Sequence, residues 1–121
     1  MNTRRMWLTL AALVVAGALL AACGGGAPAA LDVTIKGQDI KFFPPVLAAK
    51  AGQAVNVSYV NEGALDHSFV IDELGVNQAA IPAGQTATFS FTPSAAGTYT
   101  YYCNVPGHKV AGMVGTLTVT Q

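Results

Sequence analysis

The stretch LDVTIKG, residues 31–37, sets apolar Leu31, Val33 and Ile35 against polar Asp32, Thr34 and Lys36 in strict alternation. Side chains that face one way at every second residue mark an extended strand with one buried face; a helix would scatter them around its circumference. The same period returns along the chain. Val55, Val57 and Tyr59 share a face in AVNVSYV, as do Phe69 and Ile71 in HSFVI, and Ala87, Phe89 and Phe91 in TATFSF. Tyr99, Tyr101 and Cys103 do so in TYTYYC, with Tyr102 pointing outward, and Leu117 and Val119 do so opposite Thr116, Thr118 and Thr120. Turn-forming residues punctuate the runs at Pro44-Pro45, Gly52, Ala83-Gly84 and Ala95 to Gly97. Some seven or eight short strands in about ninety residues predict an all-β sandwich or barrel, antiparallel with Greek-key links, with no helix and no internal repeat.

The front of the chain follows a different pattern. Arg4 and Arg5 precede an apolar run from Met6 to about Ala22, which ends on small residues before Cys23. A membrane-spanning helix competes with this reading, but the Ala-Ala-Cys-Gly ending and the Gly/Ala/Pro stretch after it favour an export signal that is removed. Leu20 to Cys23, LAAC, resembles the lipobox of bacterial lipoproteins, in which the cysteine becomes the first mature residue and carries lipid. The expected organisation is a signal peptide at 1–22, a lipidated Cys23 with a flexible linker to residue 30, and one domain at 31–121. The protein would then be exported, and either anchored to the outer face of the cytoplasmic membrane or held in the periplasm.

From residue 23 onward the chain carries four lysines against six carboxylates, a formal net charge of −2. No basic cluster is present to neutralise phosphates, so nucleic acid is not an expected partner. With Cys23 consumed by lipid, Cys103 is the single thiol left, which excludes a disulfide framework. An unpaired thiol in an oxidising compartment calls for burial or metal ligation.

Cys103 stands in YYCNVPGHKVAGMVGTLTV, with His108 and Met113 close behind. If Tyr99 and Tyr101 face the core, Cys103 lies at the inner end of a strand. NVPGH is then a loop that projects His108, and KVAG lets the chain return with Met113 at the same pole. The only other histidine, His67, begins a strand after the turn in NEGALDHSF. Each residue alone has an ordinary explanation: a buried structural thiol, a hydrogen-bonded loop histidine, a core methionine. Together they use every thiol, imidazole and thioether donor of the domain in one site. A His2Cys set with a weak thioether suits copper, because Cu(I) favours soft sulfur and Cu(II) favours imidazole.

These residues are similar to the metal-binding pattern of the cupredoxins, the blue copper family of plastocyanin and azurin. The spacing Cys-Asn-Val-Pro-Gly-His resembles the azurin and auracyanin version, and GMVGTLTV the plastocyanin ending. The resemblance covers roughly residues 31 to 121. It implies an eight-stranded Greek-key sandwich with one copper ion at one end, His67, Cys103 and His108 as equatorial ligands and Met113 as the axial one. It also implies supporting roles: the backbone N–H of Val105 donating to the Cys103 sulfur, Ser68 bracing the two ligand loops, and the backbone carbonyl of Asp66 near the metal, where azurins have glycine. Pro106, Gly107, Val110 and Ala111 would form an apolar, partner-facing patch around the edge of His108.

The function this implies is a mononuclear type 1 copper electron carrier, not an enzyme. It would be a monomer that meets redox proteins, membrane electron-transport complexes or cytochromes, transiently and reaches the membrane through lipid at Cys23. Multicopper reductases need further histidines, a Cys-His hydrolase needs an oxyanion hole and a third orienting group, and zinc rarely takes a thioether. A copper-binding or delivery protein without an electron-transfer role is the alternative. Phe42 and Phe43 read as core edge, and Asp72-Glu73 as a solvated turn.

Overall fold

A computed structural model describes residues 25–121. The segment 1–22 and Cys23, on which the signal and lipid readings fall, lie outside the described residues.

The alternating runs become six of nine strands, β1 (Leu31–Gln38), β4 (Val55–Asn61), β5 (His67–Ile71), β7 (Thr86–Phe91), β8 (Gly97–Tyr102) and β9 (Val114–Thr120); β2 (Lys41–Phe43), β3 (Val46–Lys50) and β6 (Val76–Ile81) are added to them. They form two sheets, ordered β2-β1-β4-β7 and β3-β9-β8-β5-β6. The chain changes sheets after β2, where Pro44 and Pro45 offer no backbone N–H to continue a ladder. Two pairings, β1 with β4 and β3 with β9, are parallel and the other five antiparallel, so the sandwich is mixed where an antiparallel one was expected. The only helical piece among the described residues is a 3-10 turn at Asp72–Leu74, closed by Gly75 in the left-handed region.

Between the sheets lies an aromatic core. Phe69 stacks on Tyr101 with centroids 5.0 Å apart, and Phe42 meets Tyr101 edge-on at 5.2 Å. Such pairs contribute about 0.5–1.5 kcal/mol each beyond the area they bury. Two strand glycines make room for this core: a Cβ at Gly37 would collide with the ring of Tyr59, and one at Gly115 with the ring of Tyr101. The Phe42-Phe43 pair divides as an edge strand requires, with Phe42 3% and Phe43 59% exposed.

All five residues of β5 are buried, unlike the half-buried strands around it. The β5–β6 pairing slips between His67 and Phe69, a bulge at the point where the strand delivers His67. Bulges re-aim side chains next to functional sites.

Candidate metal centre

Three ligand-type atoms converge at one pole of the sandwich. His67, Cys103 and His108 each offer one atom, all within 4.8 Å of one another, and all three residues are buried. The Nδ1 atoms of the two histidines are 3.2 Å apart, and the Cys103 sulfur is 3.4 Å from His108 Nδ1. Donors bound at about 2.0–2.3 Å to one ion stand roughly 3–4 Å from each other, so this spacing suits a shared metal. A thiol sulfur facing two imidazole nitrogens is a mixed soft and borderline set, which fits copper.

The backbone fixes Met113 beside them. The Cys103 N–H donates to the Met113 carbonyl at 3.1 Å, and the Met113 N–H donates to the His108 carbonyl at 2.9 Å. Met113 is fully buried. Between these ends the loop is a run of tight turns, with His108 N–H on Val105 O and Ala111 N–H on Gly107 O, both at 3.0 Å. Gly107 and Gly112 take φ of 87° and 104°, values that other residues adopt at a cost.

The sulfur's supporting contacts come from β5. Ser68 N–H reaches Cys103 Sγ at 3.3 Å. The sequence reading did not name this backbone donor. β5 pairs with β8 at Val70 and Tyr102, which brings Ser68 alongside the residues that follow β8. Ser68 also joins the two loops: its hydroxyl donates to Asn104 Oδ1 at 2.7 Å and accepts the Asn104 N–H at 2.8 Å. With its one proton given to Asn104, the hydroxyl's 3.6 Å approach to the sulfur is contact rather than a second bond.

Sequence reasoning passed over Asp39 and Asn61. Asp39 follows β1, and its Oδ1 lies 3.3 Å from His67 Nε2, while the carboxylate accepts the N–H groups of Ala64 (2.9 Å) and Leu65 (3.2 Å). Those backbone bonds, that of Ala64 foremost, hold the Asp39 carboxyl below the usual carboxylate range. Burial pushes His67 below the ordinary histidine value, against a smaller upward pull from Asp39. Asn61, 1% exposed, donates to the carbonyls of Leu65 and Ile81 at 2.8 Å each and accepts the Gly63 N–H. Asp66 is exposed, and its charge adds a further small upward pull on His67.

On the outer side His108 is 8% exposed, and Pro106, Gly107, Val110 and Ala111 are all exposed around it, Val110 at 95%. The neighbouring charge is drawn aside: Lys109 Nζ sits 3.7 Å over the Tyr102 ring, whose hydroxyl binds Asp72 at 3.0 Å.

The family model of the cupredoxin-like domain matches residues 8–119. Auracyanin-A of Chloroflexus aurantiacus is 30% identical over 88% of this chain and 91% of its own length. The chloroplastic plastocyanin of Chlamydomonas reinhardtii is 37% identical over 87% of this chain and 79% of its own. A solved structure of auracyanin B superposes with a TM-score of 0.69 at 27% identity, over 79% of this chain and 93% of that one. A copper nitrite reductase from Nitrosomonas europaea shares the fold at a TM-score of 0.66 and 20% identity, over 42% of that longer chain.

Proposed function

This chain belongs to the cupredoxin-like family, and we propose that it is a mononuclear type 1 copper protein that carries one electron at a time between redox partners. The observation that carries this reading is the convergence of His67, Cys103 and His108 in a buried cluster.

In this reading His67, Cys103 and His108 would hold one copper ion, with Met113 as a further, weaker sulfur donor. The ion, when bound, cycles between Cu(I) and Cu(II). The protein's residues do the rest. Ser68 N–H stabilises negative charge on the Cys103 sulfur, and the hydrogen bonds among Cys103, His108 and Met113 keep the donors in place, so little has to move when the electron is exchanged. Burial keeps water from the thiol. His108 reaches the surface at the centre of the apolar patch and is the route for the electron. An apolar patch with its one lysine turned aside favours brief docking over a lasting complex.

The leader-like residues 1–22 and the LAAC sequence support export and a lipid-carrying Cys23, which would keep a monomeric carrier at the outer face of a membrane. A nitrite reductase with the same fold is a longer chain, and the two histidines here are both spent on one site. A closed, buried donor set also argues against copper delivery, which needs an accessible ion.

The test is the visible spectrum of the copper-loaded protein. An intense sulfur-to-copper band that vanishes in Cys103→Ser is the expected result; a colourless protein that retains zinc would sink the assignment.

A further inference from the structure

Three observations around His67 have a common explanation that the copper site alone does not require. First, the Nδ1 of His67 faces Cys103 and His108, while its Nε2 faces the Asp39 carboxylate at 3.3 Å, from a turn 28 residues upstream. Second, Gly63 leaves the room this pairing needs: a Cβ there would come within 2.9 Å of His67 Nε2 and closer still to Asp39 Oδ1. Third, Ile40, next to Asp39, holds φ at 63°, a left-handed conformation that is costly for a β-branched residue. Strain of this kind persists where surrounding structure enforces it, and it clusters at functional sites.

We propose that Asp39 is the positioning residue of the metal site. Its carboxylate accepts the Nε2–H of His67, which fixes the imidazole in the tautomer whose Nδ1 lone pair is free for the ion. Its negative charge, passed through the ring, favours the oxidised over the reduced site. Carboxylate partners of ligand histidines set ring orientation and raise ligand basicity in this way. The turn at Asp39 and Ile40 and the open space at Gly63 exist to bring that carboxylate against the ring.

The inference rests on the copper reading for its redox half, but its first test does not. In metal-free protein labelled with 15N, His67 should carry its proton on Nε2; a ring protonated on Nδ1 instead overturns the proposal whatever metal the site binds. Asp39→Ala should mix the two tautomers and weaken Cu(I) binding, measured by chelator competition, about 10–100-fold. Unchanged tautomer and affinity would overturn the proposal as well. Asp39→Asn keeps an acceptor oxygen for His67 and the loop but removes the charge. In the copper-loaded protein it should keep the tautomer and shift the equilibrium toward the reduced state by up to about tenfold, an upward shift of up to about 59 mV. A lowered or unmoved potential removes the electrostatic half. If copper does not give the coloured band in wild type, the copper reading fails while the tautomer result still stands.

Discussion

The two histidines of the site sit in unlike surroundings. His67 opens a strand, is fully buried, and has a loop before it pinned from outside by Asp39 and Asn61. His108 rides a loop whose hydrogen bonds run almost wholly within 103–113, and its edge meets solvent amid exposed apolar residues. One half is anchored to both sheets, and the other opens the site to solvent. The difference teaches that stability and exchange are assigned to separate walls of one small cluster, so damage to each should read out differently.

The largest effect should come from breaking the anchored half. Asn61→Ala removes a carboxamide that serves two carbonyls and an N–H around the His67 loop, one of these bonds being buried and the other two part-buried. Destabilisation of about 2–3 kcal/mol is expected from groups left unsatisfied, seen as a lowered urea midpoint. A loss under about 0.5 kcal/mol would show that the loop is held by other means.

A smaller, graded effect should follow from alkaline pH, acting on the core beneath that half. Burial raises Tyr59 and Tyr101 above the ordinary tyrosine value of 10.0. The folded protein therefore keeps phenolic protons that the unfolded chain releases. Stability contributed by these groups is full below pH 10 and falls as pH rises above it. Denaturant midpoints from pH 8 to 11 should be flat and then decline; a midpoint that rises across pH 10 contradicts this.

The open half should show almost no stability effect. Val110→Glu, at a side chain 95% exposed, should change stability by less than about 0.5 kcal/mol and leave the coloured band in place, yet slow electron exchange with partners severalfold. Unchanged exchange rates would remove the patch from the docking surface.

The same contrast marks what the sequence made legible. The alternation of β1, β4, β7, β8 and β9 is local and strong, and the donors of the open half lie within eleven residues, so both could be read directly. β6, with the sequence VNQAAI, went unread because its short, mostly polar and small side chains carry little period-two signal. The parallel register of β1 with β4 was hidden for another reason: strand direction depends on how the chain crosses between sheets, which side-chain alternation does not encode. The supports of the anchored half come from far along the chain. Asp39 in a turn looks like any solvated carboxylate, and the Ser68 N–H meets the Cys103 sulfur only once residues 35 apart in sequence are brought together. Gly37 and Gly115 did carry a signal, since a glycine inside a strand often marks a close approach, here of a buried tyrosine.

The direction of β1 has a consequence for how the molecule would stand. Leu31 enters beside Ala54 and pairs with Val55, and Gln53 fastens the incoming chain through the carbonyl of Ala29. From there β1 runs its eight residues toward Asp39 and the histidines, roughly 23 Å at about 3.3 Å per residue. The incoming chain and the metal pole are thus at opposite ends of the sandwich. A chain tethered through its N-terminal side would stand like a buoy on its mooring, base toward the membrane and electron-exchanging face turned outward to whatever passes.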